Sequence, residues 1–225
     1  MMGRFILPVL FGVVGCAILL ALGGWQVQRL TWKNEILSDL RSAITAAPVA
    51  VPEYPTPDMR YLPVHLAGRL TGAELHILAS IKDQGAVYRI ISAVESEAGR
   101  RVMVDLGTVP TTAKDVARAG TVAVTGNLHW PEETDGFTPE PDLPKNIWFA
   151  RDVATMAAAL DTEPVLIVAR NIDAPLPGVT PLPVGTEGIP NDHLQYAITW
   201  FSLAAIWAGM TGYFLWRMRR TEQEG

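Results

Sequence analysis

An apolar run near the carboxyl end places the strongest constraint on how this chain folds. No charged residue occurs in residues 196–216. At about 1.5 Å per residue, a helix over this run spans roughly 30 Å, the thickness of a bilayer's hydrocarbon core. Asn191 or Asp192 is a suitable N-cap, so we predict a transmembrane helix over residues 191–216 that begins just before His193.

His193 is the polar residue that this helix would hold in its first turn, at the membrane surface. The positive end of the helix dipole disfavours imidazolium, so we expect a neutral ring that donates a lone pair to a metal. Seven-residue spacing carries the same helix face through Trp200 to Trp207, and small residues lie beside it, at Ala197, Ala204 and Thr211. Two interpretations stay open: a surface for a flat apolar ligand, or interfacial Trp anchors with small residues for helix packing.

A second uncharged run, residues 5–24, predicts the first transmembrane helix. It is longer than the apolar part of a typical signal peptide and has no clear small-x-small cleavage site, so we expect a retained anchor. The helix should continue as a membrane-proximal helix over residues 25–47, with its polar part reaching about Thr45. Arg29 lies there on a face with two Trp residues, where it meets either an anionic group such as a propionate or a lipid headgroup.

The two predicted spans place both termini on one side of a membrane. By the positive-inside rule the cytoplasmic side is favoured by four residues: Arg4, Arg217, Arg219 and Arg220. Three basic residues after the first span favour the opposite orientation: Arg29, Lys33 and Arg41. They carry less weight, because a long connecting domain translocates largely regardless of such charges. We therefore expect residues 48–190 to form a periplasmic domain and residues 217–225 a cytoplasmic tail. Because no Arg-rich, Ser-rich presequence precedes the first span, we expect a two-pass protein of a bacterial inner membrane.

Short strands dominate the secondary structure predicted between the spans. Alternating or β-branched runs predict strands at residues 64–70, 74–80, 88–94, 101–106, 122–128 and 165–169. Short helices are predicted at Ala113–Ala119 and Asp152–Leu160, the latter capped by Asp152. Strands this short and numerous favour an antiparallel sandwich or a small barrel, which makes the chain a membrane α+β protein.

Three proline-rich segments interrupt or flank this β-rich domain. Residues 48–57 and 175–190 read as linkers to the two spans, since prolines break regular structure at both. Residues 131–144 combine four prolines with five acidic residues and predict a long loop. This loop is either a contact for a partner or a solvated excursion.

Composition and motifs exclude several functional classes. The net charge is −5 and no basic face emerges, which argues against nucleic acid as a partner. Cys16 is the only cysteine, so an intrachain disulfide and a cysteine-cluster metal site are excluded. No GxSxG, HExxH or Walker loop is present and no catalytic carboxylate pair is evident, so we expect no enzyme. His65, His76 and His129 lack a second ligand at metal-binding spacing and are interpreted as structural.

Four segments carry motifs that occur together, in this order, in one known family. Residues 22–33 (LGGWQVQRLTWK) match the pattern L-G-x-W-Q-x-x-R-x-x-W-K, and residues 191–201 (NDHLQYAITWF) match N-x-H-x-x-Y-A-x-x-W-F. Between them lie residues 124–128 (VTGNL) and 146–156 (NIWFARDVATM), which match two middle motifs. The whole resembles the surfeit-locus cytochrome c oxidase assembly factors.

This resemblance implies a bacterial membrane protein that binds haem a and presents it to the catalytic subunit of an aa3-type haem–copper oxidase. The family's haem-linked histidine maps onto His193, which would ligate the haem iron. Trp200, two turns along the helix, would contact the macrocycle, and Arg29 would meet a propionate. The implied partners are the oxidase catalytic subunit and the lipid bilayer, with haem a synthase as a further candidate. An assembly scaffold that holds oxidase subunits without haem is the alternative.

Overall fold

The computed structural model describes residues 3–82, 84–173 and 176–223, which form three α-helices and seven β-strands. The helices are α1 (Gly3–Thr45), α2 (Val153–Leu160) and α3 (His193–Gln223). The strands are β1 (Val49–Ala50), β2 (Pro63–Ile81), β3 (Gly85–Ser96), β4 (Arg101–Pro110), β5 (Gly120–His129), β6 (Ile147–Trp148) and β7 (Leu166–Ile172). The chain divides into two compact units, one of which is Arg41–Gly185 and contains all the strands. The other combines the residues before and after that stretch.

Both long helices are apolar and long enough to cross a membrane, in agreement with the two predicted spans. α1 is one continuous helix, which confirms that the first span extends as a helix as far as Thr45. α3 begins at His193 as predicted, and the Tyr196 N–H donates to the carbonyl of Asp192 (3.1 Å). The predicted cytoplasmic tail is helical as far as Gln223, while Pro175 and residues 224–225 lie outside the described residues.

Small residues allow α1 and α3 to pack closely as an antiparallel pair. A Cβ atom at Gly15 would overlap the indole of Trp207, and one at Gly23 would lie 2.7 Å from the Phe201 ring. Ala197 and Ala204 are buried, and the thiol of Cys16 donates to the Ala204 carbonyl (3.7 Å). The small residues of α3 therefore serve helix packing, the second of the two interpretations above. The other interpretation, that the face shared by His193 and Trp200 binds a flat apolar ligand, stays a prediction.

The strands of the β unit close into a five-stranded barrel in the order β2-β3-β4-β7-β5, because β5 pairs back onto β2. Most neighbours are antiparallel, but β4 and β7 are parallel, and the short strands β1 and β6 both run parallel to β2. The barrel alternative of the prediction is the one found. The parallel pair of β4 and β7 was not predicted. It arises because β7 returns to the barrel through α2 and then runs in the same direction as β4.

Alternation along the strands divides the apolar residues between two cores. On β4, Val102, Val104 and Leu106 point into the barrel interior, whereas Met103 points outward and packs beneath α2. Met156 of α2 is fully buried in that outer core. The barrel wall is therefore apolar on both faces where α2 covers it, which explains the nearly unbroken apolar run of β4.

One of the two predicted short helices is present. α2 begins after Asp152, whose side chain accepts a hydrogen bond from the Thr155 N–H (2.7 Å), as predicted. The helix predicted at Ala113–Ala119 is wrong, since only a 3₁₀ turn forms, at Thr111–Ala113. The guanidinium of Arg118 donates to the Ala113 carbonyl (2.9 Å), which a helix would have used for its own backbone.

Each of the six predicted strands overlaps an observed strand, but the first two belong to one. β2 is continuous over 19 residues and shifts register between Leu70 and Glu74, beside Gly72 at φ +85°. The predicted acidic loop has little regular structure, and ion pairs from Glu132 to Arg60 and from Glu133 to Arg151 fasten its start to the barrel.

Candidate functional site

A hydrogen bond between α1 and α3 lies at the start of α3, where a metal ligand was predicted. Nδ1 of His193 is 2.8 Å from Oε1 of Gln26. Gln26 is only 9% exposed, and the imidazole is half-buried. Neither ring nitrogen has another partner among the described residues, so Nε2 keeps its capacity to bind a ligand.

Two further contacts hold the segment before His193 against α1. The ammonium group of Lys33 donates to the carbonyl of Pro190, and the side-chain amide of Asn191 donates to Oδ1 of Asn34 (2.9 Å). The sequence motifs of residues 22–33 and 191–201, separated by more than 150 residues, are thus two sides of one site. Gln26 and His193 join the two motifs directly, and the other two contacts extend to Asn34 and Pro190, the residues next to the motifs.

No role in a site was predicted for Gln26, Lys33 or Asn34. All three lie in or directly after the first motif, and the seven-residue separation of Gln26 and Lys33 places both on one helix face. That spacing was the only sign in the sequence that Gln26 and Lys33 could belong to one site. It did not reveal a partner, since nothing local in the sequence indicates which residues contact across helices.

Trp200 lies two turns along α3 from His193 and is half-buried. No ring contact or hydrogen bond engages its indole among the described residues. Trp207, one further heptad along, is committed to helix packing: its Nε1 donates to the Gly12 carbonyl (3.1 Å) and its ring lies 5.2 Å from that of Phe11. Of the two indoles on this face, Trp200 alone is available to a ligand near His193.

Arg29 is exposed on α1, one turn beyond Gln26. Its guanidinium lies 4.4 Å from the centre of the Trp32 ring, so a cation–π contact within α1 positions it. The structure therefore does not pair Arg29 with His193 or Trp200. Its five N–H groups remain able to donate to an anionic group of a ligand or a lipid.

His193 is the one metal-ligating side chain that the structure describes at this site, so the site fits a metal that needs a single ligand from the protein. Among the residues that the structure describes, no group of three or more His, Cys, Asp or Glu side chains is placed to hold a metal ion. His76, which is buried, is engaged by Oε1 of Glu74 (2.8 Å) and by Lys114 (3.5 Å) in the barrel unit. A metal bound inside a cofactor, such as haem iron, needs only one axial side chain and suits His193.

The middle motif of residues 146–156 has structural roles. Trp148 is buried beneath α2, Asp152 caps α2, and Arg151 donates to both Asp105 (3.2 Å) and Glu133. Asn146 adopts a left-handed conformation at φ 51° and donates to the Glu74 carbonyl (2.9 Å). These residues hold the barrel, α2 and the acidic loop together, and none of them is a candidate ligand-binding group.

His129 is a titratable group in the barrel unit. Its imidazole stacks on Tyr61 with 5.6 Å between ring centres, and its Nδ1 is buried without a partner among the described residues. Burial lowers the pKa of His129 to about 4, and the positive charges of Arg151 and Arg60 act in the same direction. The ring is therefore neutral at physiological pH.

We expect this histidine to destabilise the folded chain as the pH falls from 6.5 towards 4. In that window the unfolded chain binds a proton at His129, whose ordinary pKa is 6.5, whereas the folded chain does not. A pKa lowered from 6.5 to about 4 corresponds to roughly 3 kcal/mol at the acid end, and the partial exposure of the ring reduces the expected loss to about 2 kcal/mol. His129→Gln should remove this part of the pH dependence, measured as Tm of the full chain in detergent across the window.

The exposed His65 provides the matched control, since His65→Gln should leave the pH dependence of Tm as it is in the wild-type chain. Protonation of carboxylates contributes equally to all three proteins and cancels in the comparison. If Tm depended on pH equally in the wild type and in His129→Gln, the lowered pKa of His129 in the folded chain would be contradicted.

Comparison with known proteins supports one family. The model of the SURF1 family matches residues 13–205. The human protein "Surfeit locus protein 1" is 30% identical over 82% of this chain and 69% of its own length. The rat protein of the same name is 29% identical over 89% of this chain and 72% of its own length. A "SURF1-like protein" of Drosophila melanogaster is 31% identical over 87% and 71%.

The matched region includes the motifs of residues 22–33 and 191–201 and the whole barrel between them. The resemblance first indicated by those motifs is therefore confirmed along most of the chain. The chain belongs to the SURF1 family of cytochrome c oxidase assembly factors.

Proposed function

We propose that this protein binds haem a through His193 and presents it to the catalytic subunit of an aa3-type oxidase at the membrane surface. One observation carries the proposal: Gln26 engages Nδ1 of His193, while Nε2 has no partner among the described residues. A neutral imidazole in this state offers one lone pair to an iron atom.

The surroundings of His193 suit a cargo that must be released. Haem a carries a long apolar tail and a polar edge, so its transfer takes place at the boundary between lipid and water. Trp200 offers an aromatic face on the same side of α3, and Arg29 offers donors to a propionate. A single axial ligand holds the iron less firmly than the two ligands that a receiving subunit can supply.

The proposed orientation places His193 and the barrel on the periplasmic side of a bacterial inner membrane. It rests on the Arg residues that flank the two spans, three of which follow Trp216 near the end of α3: Arg217, Arg219 and Arg220. With both termini in the cytoplasm, haem a synthase and the oxidase catalytic subunit would be reached laterally, within the same membrane. The protein acts in this scheme as a carrier and catalyses no reaction.

Replacing His193 by alanine should remove most of the bound haem. The full chain is produced together with the enzymes that make haem a, and the haem content and Soret band of the purified protein are measured. We expect at least a tenfold lower haem content, because loss of the axial ligand exceeds the effect of losing a supporting residue. His65→Ala, at an exposed position of β2, should leave the haem content unchanged.

An unchanged haem content and Soret band in His193→Ala would reject the ligand assignment. Wild-type protein that carries no haem under these conditions would instead favour the scaffold alternative.

One feature supports that alternative: Phe137, at the tip of the acidic loop, is 94% exposed. Its turn is fixed by the carboxylate of Asp135, which accepts hydrogen bonds from the Phe137 N–H and the Thr138 hydroxyl (2.9 and 3.0 Å).

A further inference from the structure

We propose that Gln26 is a positioning residue that fixes the tautomer of His193, so that Nε2 and not Nδ1 is presented to the haem iron. Only the last step of this inference rests on the proposed function. The tautomer itself is a property of the chain without haem and is tested separately.

The hydrogen bond between the two side chains determines which nitrogen carries the proton. Oε1 of Gln26 is a carbonyl oxygen and can only accept, so Nδ1 of His193 must donate across the 2.8 Å that separate them. The neutral ring then has its lone pair on Nε2. A histidine side chain without such a partner favours the opposite tautomer in water, with the proton on Nε2.

The position of Gln26 is fixed from both sides along α1. Towards the membrane, the close approach of Gly23 to the Phe201 ring sets the separation of the helices. Away from the membrane, Lys33 and Asn34 hold the residues that precede His193. Gln26 is itself buried between these contacts, so its amide has little freedom to turn away from the imidazole.

Two consequences follow for a metal at Nε2. A histidine that ligates a metal commonly donates its other N–H to a second group, and removal of that group lowers metal affinity by about 10- to 100-fold. A neutral amide raises the basicity of the ring less than a carboxylate does. Glutamine at this position therefore orients the ring without strengthening the bond between Nε2 and the iron, which suits a protein that releases its haem to another protein.

The first measurement uses the full chain without haem, in detergent and labelled with ¹⁵N at histidine. Long-range ¹H–¹⁵N spectra report which ring nitrogen is protonated, and the His193 signals are those that disappear in His193→Ala. We expect protonated Nδ1 in the wild type and in Gln26→Glu, which keeps an acceptor. Gln26→Leu should move the proton to Nε2, whereas Gln28→Leu, at an exposed position on the same helix, should not.

The second measurement uses the same variants produced with haem a. Gln26→Leu should bind haem at least tenfold more weakly, and Gln26→Glu should bind it and lower the reduction potential of the iron, because its ring partner is more basic. A residue that merely supports the fold would not move that potential. Circular dichroism checks that each variant keeps its helices.

The outcomes separate the two proposals. Protonated Nε2 in the wild type, or an unchanged tautomer in Gln26→Leu, overturns the role of Gln26 whether or not haem binds. A potential that is the same in Gln26→Glu and the wild type also overturns it. If instead the tautomer responds as expected but His193→Ala keeps its haem, the proposed function fails and the hydrogen bond assignment stands.

Discussion

Asp105→Ala should lower the free energy of unfolding by about 3–5 kcal/mol, because it leaves buried positive charge without its partner. Asp105 on β4 is completely buried. Its Oδ2 accepts from Nε and Nη2 of Arg89 (2.9 and 2.6 Å) and from Nη1 of Arg151 (3.2 Å), while Oδ1 accepts from the Gly107 N–H (3.2 Å). Both guanidinium groups are nearly buried as well, so water cannot replace the lost carboxylate.

A surface pair offers a matched control, since its substitution also removes one carboxylate that faces an arginine. Glu132, 82% exposed, pairs with Arg60 at 2.7 Å, and Glu132→Ala should leave the free energy of unfolding nearly unchanged, because water screens the pair. Both variants are unfolded with denaturant as full chains in detergent and followed by near-ultraviolet circular dichroism. Similar losses in the two variants would show that burial does not strengthen the Asp105 interaction.

Asp105 also illustrates why the barrel was only partly predicted from the sequence. Alternation and β-branched residues located every long strand, since those signals are local. Closure of the barrel depends on pairings between distant segments, such as Val64 with Gly126 and Val104 with Ile167. No local pattern distinguishes these pairings from those of a sandwich, and a buried Asp inside an apolar strand gives no indication of which arginines meet it.

The candidate site was predicted to a similar extent. His193 was placed at the start of α3 because helix capping and the uncharged run are local signals, and the structure agrees. The role of Ala197 and Ala204 was left open between helix packing and a ligand surface, because periodicity shows that residues share a face but not what that face contacts. Gln26 was missed for the same reason: its partner lies 167 positions away along the chain.

Gly126→Ala should destabilise the barrel by about 3 kcal/mol, although it adds a single methyl group. Gly126 lies on β5 between β2 and β7 and belongs to one of the middle motifs. A Cβ atom there would overlap the backbone carbonyl of Val168 and lie 2.9 Å from Cγ2 of Ile167. Side chains can change rotamer to relieve such an overlap, but a strand carbonyl cannot move alone.

The strand that would have to move is held on both sides. Val168 of β7 pairs with Asn127 of β5 and with Asp105 of β4, so displacing its carbonyl disturbs two ladders of hydrogen bonds at once. Gly136→Ala, in the acidic loop, adds the same methyl group where nothing lies within 4 Å and should leave Tm nearly unchanged. If Gly126→Ala were as stable as Gly136→Ala, β5 and β7 would not approach as closely at this point as the barrel closure requires.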